Sequence, residues 1–325
     1  VWTRNRNRRV WQDGLLVGSY SNLAQASPIR DLAPGTDMNA IGHPRKVLDD
    51  LHDQIVSRRT MSTCVLVASC DQYADLWPVF LSLFYRAWPD CPYSVYLGSN
   101  HLECNDARVK GILVGDDRGW GRGIREMLRR IESTHVLVLL EDFLLLSRVD
   151  TDLVLRLERQ LIELDGAYLR LRPFPAPDYP LARYPLFGEN ALGAPYRCSM
   201  QVALWRKESL LDLLVDQESP WGFELNGARR SDISARGFYC TWSHVFNYYA
   251  GVARGKWIPY GVAVCRERGV FPNLTARPMM TPKENMQRTV RRAIHEVLSL
   301  VPWRLRDHGA RWLRASALRR PRTIA

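Results

Sequence analysis

No stretch of this chain approaches the roughly 18 consecutive apolar residues that a membrane-crossing helix needs. The most apolar segment, residues 135–149, is interrupted by Glu141 and Asp142, which excludes a polytopic membrane protein. The polar, Arg-rich start has no apolar h-region, so no secretory leader is expected. The seven cysteines include no Cys-x-x-Cys pair. With their odd number, this predicts reduced and mostly buried thiols in a cytosol, not a disulfide framework or a zinc site. The phosphate-binding Gly-x-x-x-x-Gly-Lys-[Ser/Thr] loop is missing, and so is the Rossmann glycine spacing. No internal repeat is present.

Net charge is also missing from the middle of the chain. The net +11 divides into +3 over residues 1–60, zero over 61–282 and +8 over 283–325. A neutral body argues against a nucleic-acid groove, and no specific nucleic acid is expected. A basic tail fits an anionic membrane surface or a partner protein. With 46% hydrophobic and 24% charged residues, the chain has a folded globular composition, not a disordered one.

Three regions are expected. Residues 1–60 carry scattered Arg, Asn, Asp and Gly with little apolar periodicity, and are expected to form a loosely ordered extension. Met61 looks like a natural start, because a strand opens within three residues of it. From there, strands and helices alternate. Strands are predicted over 64–68, 93–97, 109–114, 135–140, 167–171 and 200–205, and helices over 75–87, 123–131, 151–164 and 207–215. Such alternation predicts an α/β domain over 61–282 with a mostly parallel central sheet flanked by helices. Residues 173–195, rich in Pro, Tyr and Gly, read as a long binding loop. Residues 283–325 read as a basic amphipathic helical tail, with Val290, Ile294, Val297, Trp303 and Trp312 among its arginines. That pattern suits an interfacial helix on an anionic leaflet, and equally a helix packed on the body.

Open parallel sheets bind ligands at the carboxyl ends of their strands. Asp71 follows the first predicted strand, Asp116 and Asp117 follow the third, and Glu141 and Asp142 end the fourth. Each alone reads as a cap or turn residue. Together on one edge they suit a hard divalent cation, with phosphate oxygens completing its coordination. Gly119-Trp120-Gly121-Arg122-Gly123 opens a helix, and is either a plain turn or a place where Arg122 approaches phosphates.

The order of strand, Asp71, helix, strand, Gly-rich turn, helix and then a hydrophobic strand ending in Glu141-Asp142-Phe143 resembles the GT-A fold nucleotide-sugar glycosyltransferases, especially the family-2-like group. The resemblance covers about residues 62–270. It implies a nucleoside-diphosphate sugar donor and a surface-glycan or lipid-linked acceptor. It implies that Asp71 reads the nucleobase and that Glu141-Asp142 meets the diphosphate, with Asp142 holding Mg²⁺ or Mn²⁺; apart from the resemblance, position alone makes Asp116 and Arg122 further candidates for donor binding. Glu224, in Trp221-Gly222-Phe223-Glu224, matches the family's general base for inverting transfer. Glu-Asp-Phe departs from the family's Asp-x-Asp, and Glu224 stands without a second acid. The implied location is cytoplasmic, peripheral at the membrane.

The chemistry itself asks for a carboxylate or histidine to take the acceptor proton, for which Glu224 and His244 are the candidates. Glu224 also reads as a helix N-terminal acid, and His244, among Trp242, Phe246 and Tyr248, as a structural histidine. Trp221 and Trp242 are expected in the core, with sugar stacking as the alternative. Two other functions fit the pattern less well: a nucleotidyltransferase, which would want glycine and a basic residue where Ser69-Cys70-Asp71 stands, and a non-catalytic docking protein.

Overall fold

A computed structural model describes residues 62–299, the last six by backbone alone. The expected extension over 1–60 and the end of the basic tail lie outside the described residues. The first strands are β1 (Thr63–Ala68), β2 (Val95–Ser99), β3 (Val109–Leu113) and β4 (His135–Leu140). They pair in parallel in the order β3-β2-β1-β4. Their near-continuous apolar sequence reflects burial on both faces.

Past β4 the sheet continues through β9 (Ala203–Arg206), β6 (Tyr168–Arg170), β10 (Phe238–Thr241), β8 (Phe187–Glu189) and β7 (Tyr179–Pro180), making nine strands. β9 runs antiparallel between β4 and β6, β10 is parallel to β6, and β8 opposes both β10 and β7. Seven strands therefore point one way and two the other. The expected loop over 173–195 contributes the β7–β8 edge. The strand expected from residue 200 begins at Ala203, because the preceding residues form the approach to the sheet.

The two faces carry separate cores. Val65, Val67, Leu137 and Leu139 point to one face, where α1 (Trp77–Ala87) and α3 (Thr151–Glu163) cover them with Phe80, Phe84, Val154 and Leu157. Leu66, Val136 and Val138 point to the other, under α2 (Trp120–Arg129), α4 (Lys207–Leu213) and α5 (Pro220–Arg230). This is the period-2 alternation of a strand working against two layers of helices. The predicted helix over 75–87 divides in two: Asp71–Leu76 forms a 3₁₀ turn, and Pro78 falls in the first turn of α1, where its missing N–H costs nothing.

A third cluster joins Leu76, Val79 and Leu83 to Leu144, Trp257, Val262 and Cys265. It packs α6 (Pro259–Glu267) and two small ladders against α1. One ladder pairs β5 (Phe143–Leu145) with β11 (Tyr248–Ala250), the other β12 (Val252–Ala253) with β13 (Lys256–Trp257). The last described element is α7 (Pro282–Ser299). All seven cysteines are free; four are buried and three partly exposed.

Candidate active site

The carboxyl ends of β1 to β4 carry the acidic residues that the sequence singled out, but those residues are engaged in different ways. Asp71 closes the β1–β2 edge. Its carboxylate accepts the backbone N–H of Asn100 at 2.9 Å, of His101 at 3.0 Å and of Leu102 at 3.2 Å. Asn100 returns the contact, taking the Asp71 N–H at 3.1 Å and donating to the Gly115 carbonyl at 3.0 Å. Desolvation pulls the Asp71 carboxyl up, but these backbone donors outweigh it and hold its pKa below the usual range. Asp71 therefore ties the end of β1 to the turn that follows β2, and Asn100, unnoticed in the sequence, is its partner.

Asp116 lies in solvent beside a cleft of about 400 Å³ that His101, Arg118, Arg122 and Glu126 also line. It faces His101 at 3.3 Å and Arg118 at 4.0 Å. The Gly-rich turn is a packing device. Gly119 sits at φ +105°, and a side chain on Gly121 would fall 2.1 Å from the Val215 carbonyl oxygen. Three of the turn's N–H groups are already used: Gly119 donates to Asp117, Gly121 to the Glu218 carbonyl and Gly123 to the Gly119 carbonyl. The Arg122 side chain stands on the cleft wall.

The end of β4 is different. Glu141 is 8% exposed. Its pKa is pushed up to about 8 by burial and then by the neighbouring Asp142 charge, against the hydrogen bond from Ser69 and the more distant Arg277. Asp142 is pushed up to about 7 by burial. Its Oδ1 is buried without a hydrogen-bond partner, while its carbonyl accepts the Gly251 N–H at 2.8 Å. Two adjacent carboxylates so poorly compensated call for positive charge from outside the chain. Oxygen donors of this kind fit Mg²⁺ or Mn²⁺. Among the described residues, no group of three or more His, Cys, Asp or Glu gathers to hold an ion. A cation here would take Asp142 and Glu141 and draw its remaining ligands from a bound molecule.

Around this pair stand residues from distant parts of the sequence. Arg277, 7% exposed, is clamped by Asp75 through contacts of 2.8 and 2.9 Å, donates to the Gln72 carbonyl at 2.7 Å and lies over the Tyr73 ring. Tyr248 stacks on Phe143 with centroids 4.2 Å apart, and carries the Arg172 guanidinium 4.6 Å from its own centroid. Both Asp142 and Arg172 act on the Tyr248 hydroxyl, and Arg172 also helps burial lower the His244 pKa. His244 is thus an exposed residue at this edge, not a packed structural one.

Glu224 sits past the first turn of α5, whose cap is Ser219, so it is not the helix N-terminal acid of the alternative reading; its carboxylate accepts the Met200 N–H at 3.0 Å. Burial raises its pKa, opposed by that N–H and by Arg170. β4 and β9 pair from His135–Arg206 to Val138–Ala203, so Met200 lies three residues before the paired stretch of β9, and Glu224 meets this approach from the helix layer of α5. Arg170, only 1% exposed, holds the surrounding loops by donating to the Tyr196 carbonyl at 2.8 Å and the Pro175 carbonyl at 2.7 Å. Trp221 and Trp242, expected in the core, are 75% and 42% exposed. Trp221 lies in the first turn of α5, which buries Phe223 instead, and Trp242 follows the end of β10.

No protein-family model matches the chain, and no curated protein matches it. Among solved structures it is similar in part to crystal structures of S. aureus TarS, residues 1–349. The likeness to that protein alone is 12% identity and a TM-score of 0.37, over 56% of this chain and 60% of the other. To its complex with UDP-GlcNAc it is 14% and 0.37, over 56% and 58%. To its complex with UDP it is 14% and 0.41, over 64% and 63%. The match thus spans less than two thirds of the TarS chain.

Proposed function

We propose that the protein is a glycosyltransferase that moves a sugar from a nucleoside-diphosphate donor to a glycan or lipid-linked acceptor. The observation that carries this reading is the uncompensated Glu141–Asp142 pair at the end of β4, with the Asp142 Oδ1 buried and unpartnered. When bound there, Mg²⁺ or Mn²⁺ would offset the charge that builds on the diphosphate as the sugar leaves.

The chain's own residues do the rest. The strand-end turn held by Asp71 and Asn100 positions the nucleoside, and Arg122 and Asp116 line the neighbouring cleft. Glu224 takes the acceptor proton. Burial raises its pKa, which makes it a stronger base than an ordinary carboxylate, and the Met200 N–H fixes the carboxylate in place. His244 is the second candidate, its pKa lowered by its limited burial and by Arg172. A single displacement with Glu224 as base inverts the anomeric carbon. The test is turnover of a panel of nucleoside-diphosphate sugars with and without Mn²⁺, with product configuration read by NMR. A donor consumed by the parent chain and not by Asp142→Asn supports the reading. Failure to bind or consume any member of the panel overturns it.

A further inference from the structure

Five of the large apolar side chains left in solvent belong to residues 260–290: Tyr260 at 55%, Phe271 at 77%, Met279 at 44%, Met286 at 65% and Val290 at 52% exposure. Met286, Val290 and Ala293 follow one another at helical spacing along α7, and all three are exposed. This is an apolar stripe on a solvent-facing side of the first turns of α7. Basic residues border it, with Lys283 and Arg291 in solvent on the same helix.

The first turns of α7 are fixed all the same. Glu284 caps the helix by accepting the Thr281 N–H at 2.8 Å, and pairs with Lys256 at 2.6 Å. Arg288 donates to the Tyr249 hydroxyl at 3.2 Å, and Tyr249 meets Tyr260 edge-on at 4.8 Å. Just before the helix, Arg277 is locked to Asp75 beside the β4 carboxylates. The stripe is therefore presented by a helix anchored to the body, not by a loose end.

We infer that this face of α7, with Tyr260 and Phe271, docks on an anionic lipid bilayer. Charge complementarity selects the partner. Residues 283–325 carry +8 on a chain whose middle is neutral, so the basic charge belongs to the same segment of sequence as the apolar stripe. Exposed Met, Val, Tyr and Phe among basic side chains are the composition of an interfacial helix, in which apolar groups enter the acyl boundary and charges stay with the headgroups. The Arg277 clamp then holds the carboxylate edge in a fixed relation to the membrane. The inference does not depend on the reaction proposed above.

The experiment is sedimentation of the full chain with vesicles of phosphatidylcholine alone and of phosphatidylcholine with phosphatidylglycerol, at low and high salt. The full chain is expected to pellet with the anionic vesicles at low salt and to be released by salt. The double variant Met286→Glu with Val290→Glu should bind at least about tenfold more weakly, while keeping the parent's melting temperature, since both side chains are exposed. Met286→Trp should bind more tightly. Equal partition to neutral and anionic vesicles overturns the inference, as does a full chain that stays in the supernatant at low salt. A double variant that binds as well as the parent also overturns it, because charge alone would then suffice.

Discussion

The two halves of the sheet hold their buried charge in opposite ways. In the parallel half, β3-β2-β1-β4, the buried ionisable group at the ligand edge is acidic: Glu141, with Asp142 beside it. In the mixed half, β9-β6-β10-β8-β7, the buried charges are Arg170 and Arg197. These arginines are tied to carbonyls: Arg170 to Tyr196 and Pro175, Arg197 to Asn190 and Ser231. One half holds its buried guanidinium groups with carbonyls of its own loops, although the Arg170 Nε has no partner. The other sets two carboxyl groups side by side, and leaves the Asp142 Oδ1 without a partner. Adjacent buried acids of this kind, raised in pKa at the end of a strand, are what a ligand-binding edge presents.

The largest effect expected from breaking this contrast is on turnover. Asp142→Asn keeps the shape but removes the charge, and should reduce transfer by about a thousandfold while leaving the fold intact, as steady-state kinetics and a thermal melt would show. Next is Glu224→Gln, which retains the Met200 hydrogen bond but cannot accept a proton. Turnover should fall by ~10²- to 10⁴-fold with donor affinity nearly unchanged. Loss of donor binding in this variant would move Glu224 from the base role to the donor pocket.

On the arginine side the effect is on stability. Arg170→Met should cost about 3 kcal/mol, because the Tyr196 and Pro175 carbonyls lose their donors; urea unfolding measures it. Asp71→Asn is the mildest change. It replaces a carboxylate that accepts three N–H groups, and should cost about 1–2 kcal/mol. A large loss of donor affinity with unchanged stability would instead assign Asp71 a direct contact with the nucleobase.

The contrast also explains what the sequence could and could not reveal. The parallel half was legible because its order is local. His135–Leu140 is an unbroken apolar run between a helix and an acidic pair, and Thr151 opens its helix behind the capping Asp150. The mixed half is built from long-range pairings. Residues 173–195 read as a loop because β7 and β8 are two and three residues long, too short to show alternation. Trp221 and Trp242 looked like core because hydrophobicity does not say which way a side chain faces. The partners of the site were hidden by separation in sequence. Arg277 meets Asp75 from 202 positions away, and Asn100 meets Asp71 from 29. The strand-end acids were visible, but which of them had its charge satisfied was not, since that depends on backbone N–H groups brought in by the fold.

The central claim is that Glu141 and Asp142 await a cation and a donor, and the most direct measurement is the melting temperature from pH 5 to pH 8. The unfolded chain loses these protons near the ordinary carboxylate values of 4.5 and 3.8, while the folded chain holds them to about 8 and 7. The pair's contribution to stability is thus complete at low pH and is lost as pH rises through the folded values, on the order of a few kcal/mol. The parent should melt lower at pH 8 than Asp142→Asn does, and Mn²⁺ with a sugar nucleotide should restore the parent at pH 8 while leaving the variant unmoved. Parent and variant profiles that coincide across this range, with or without Mn²⁺ and the donor panel, would contradict the account.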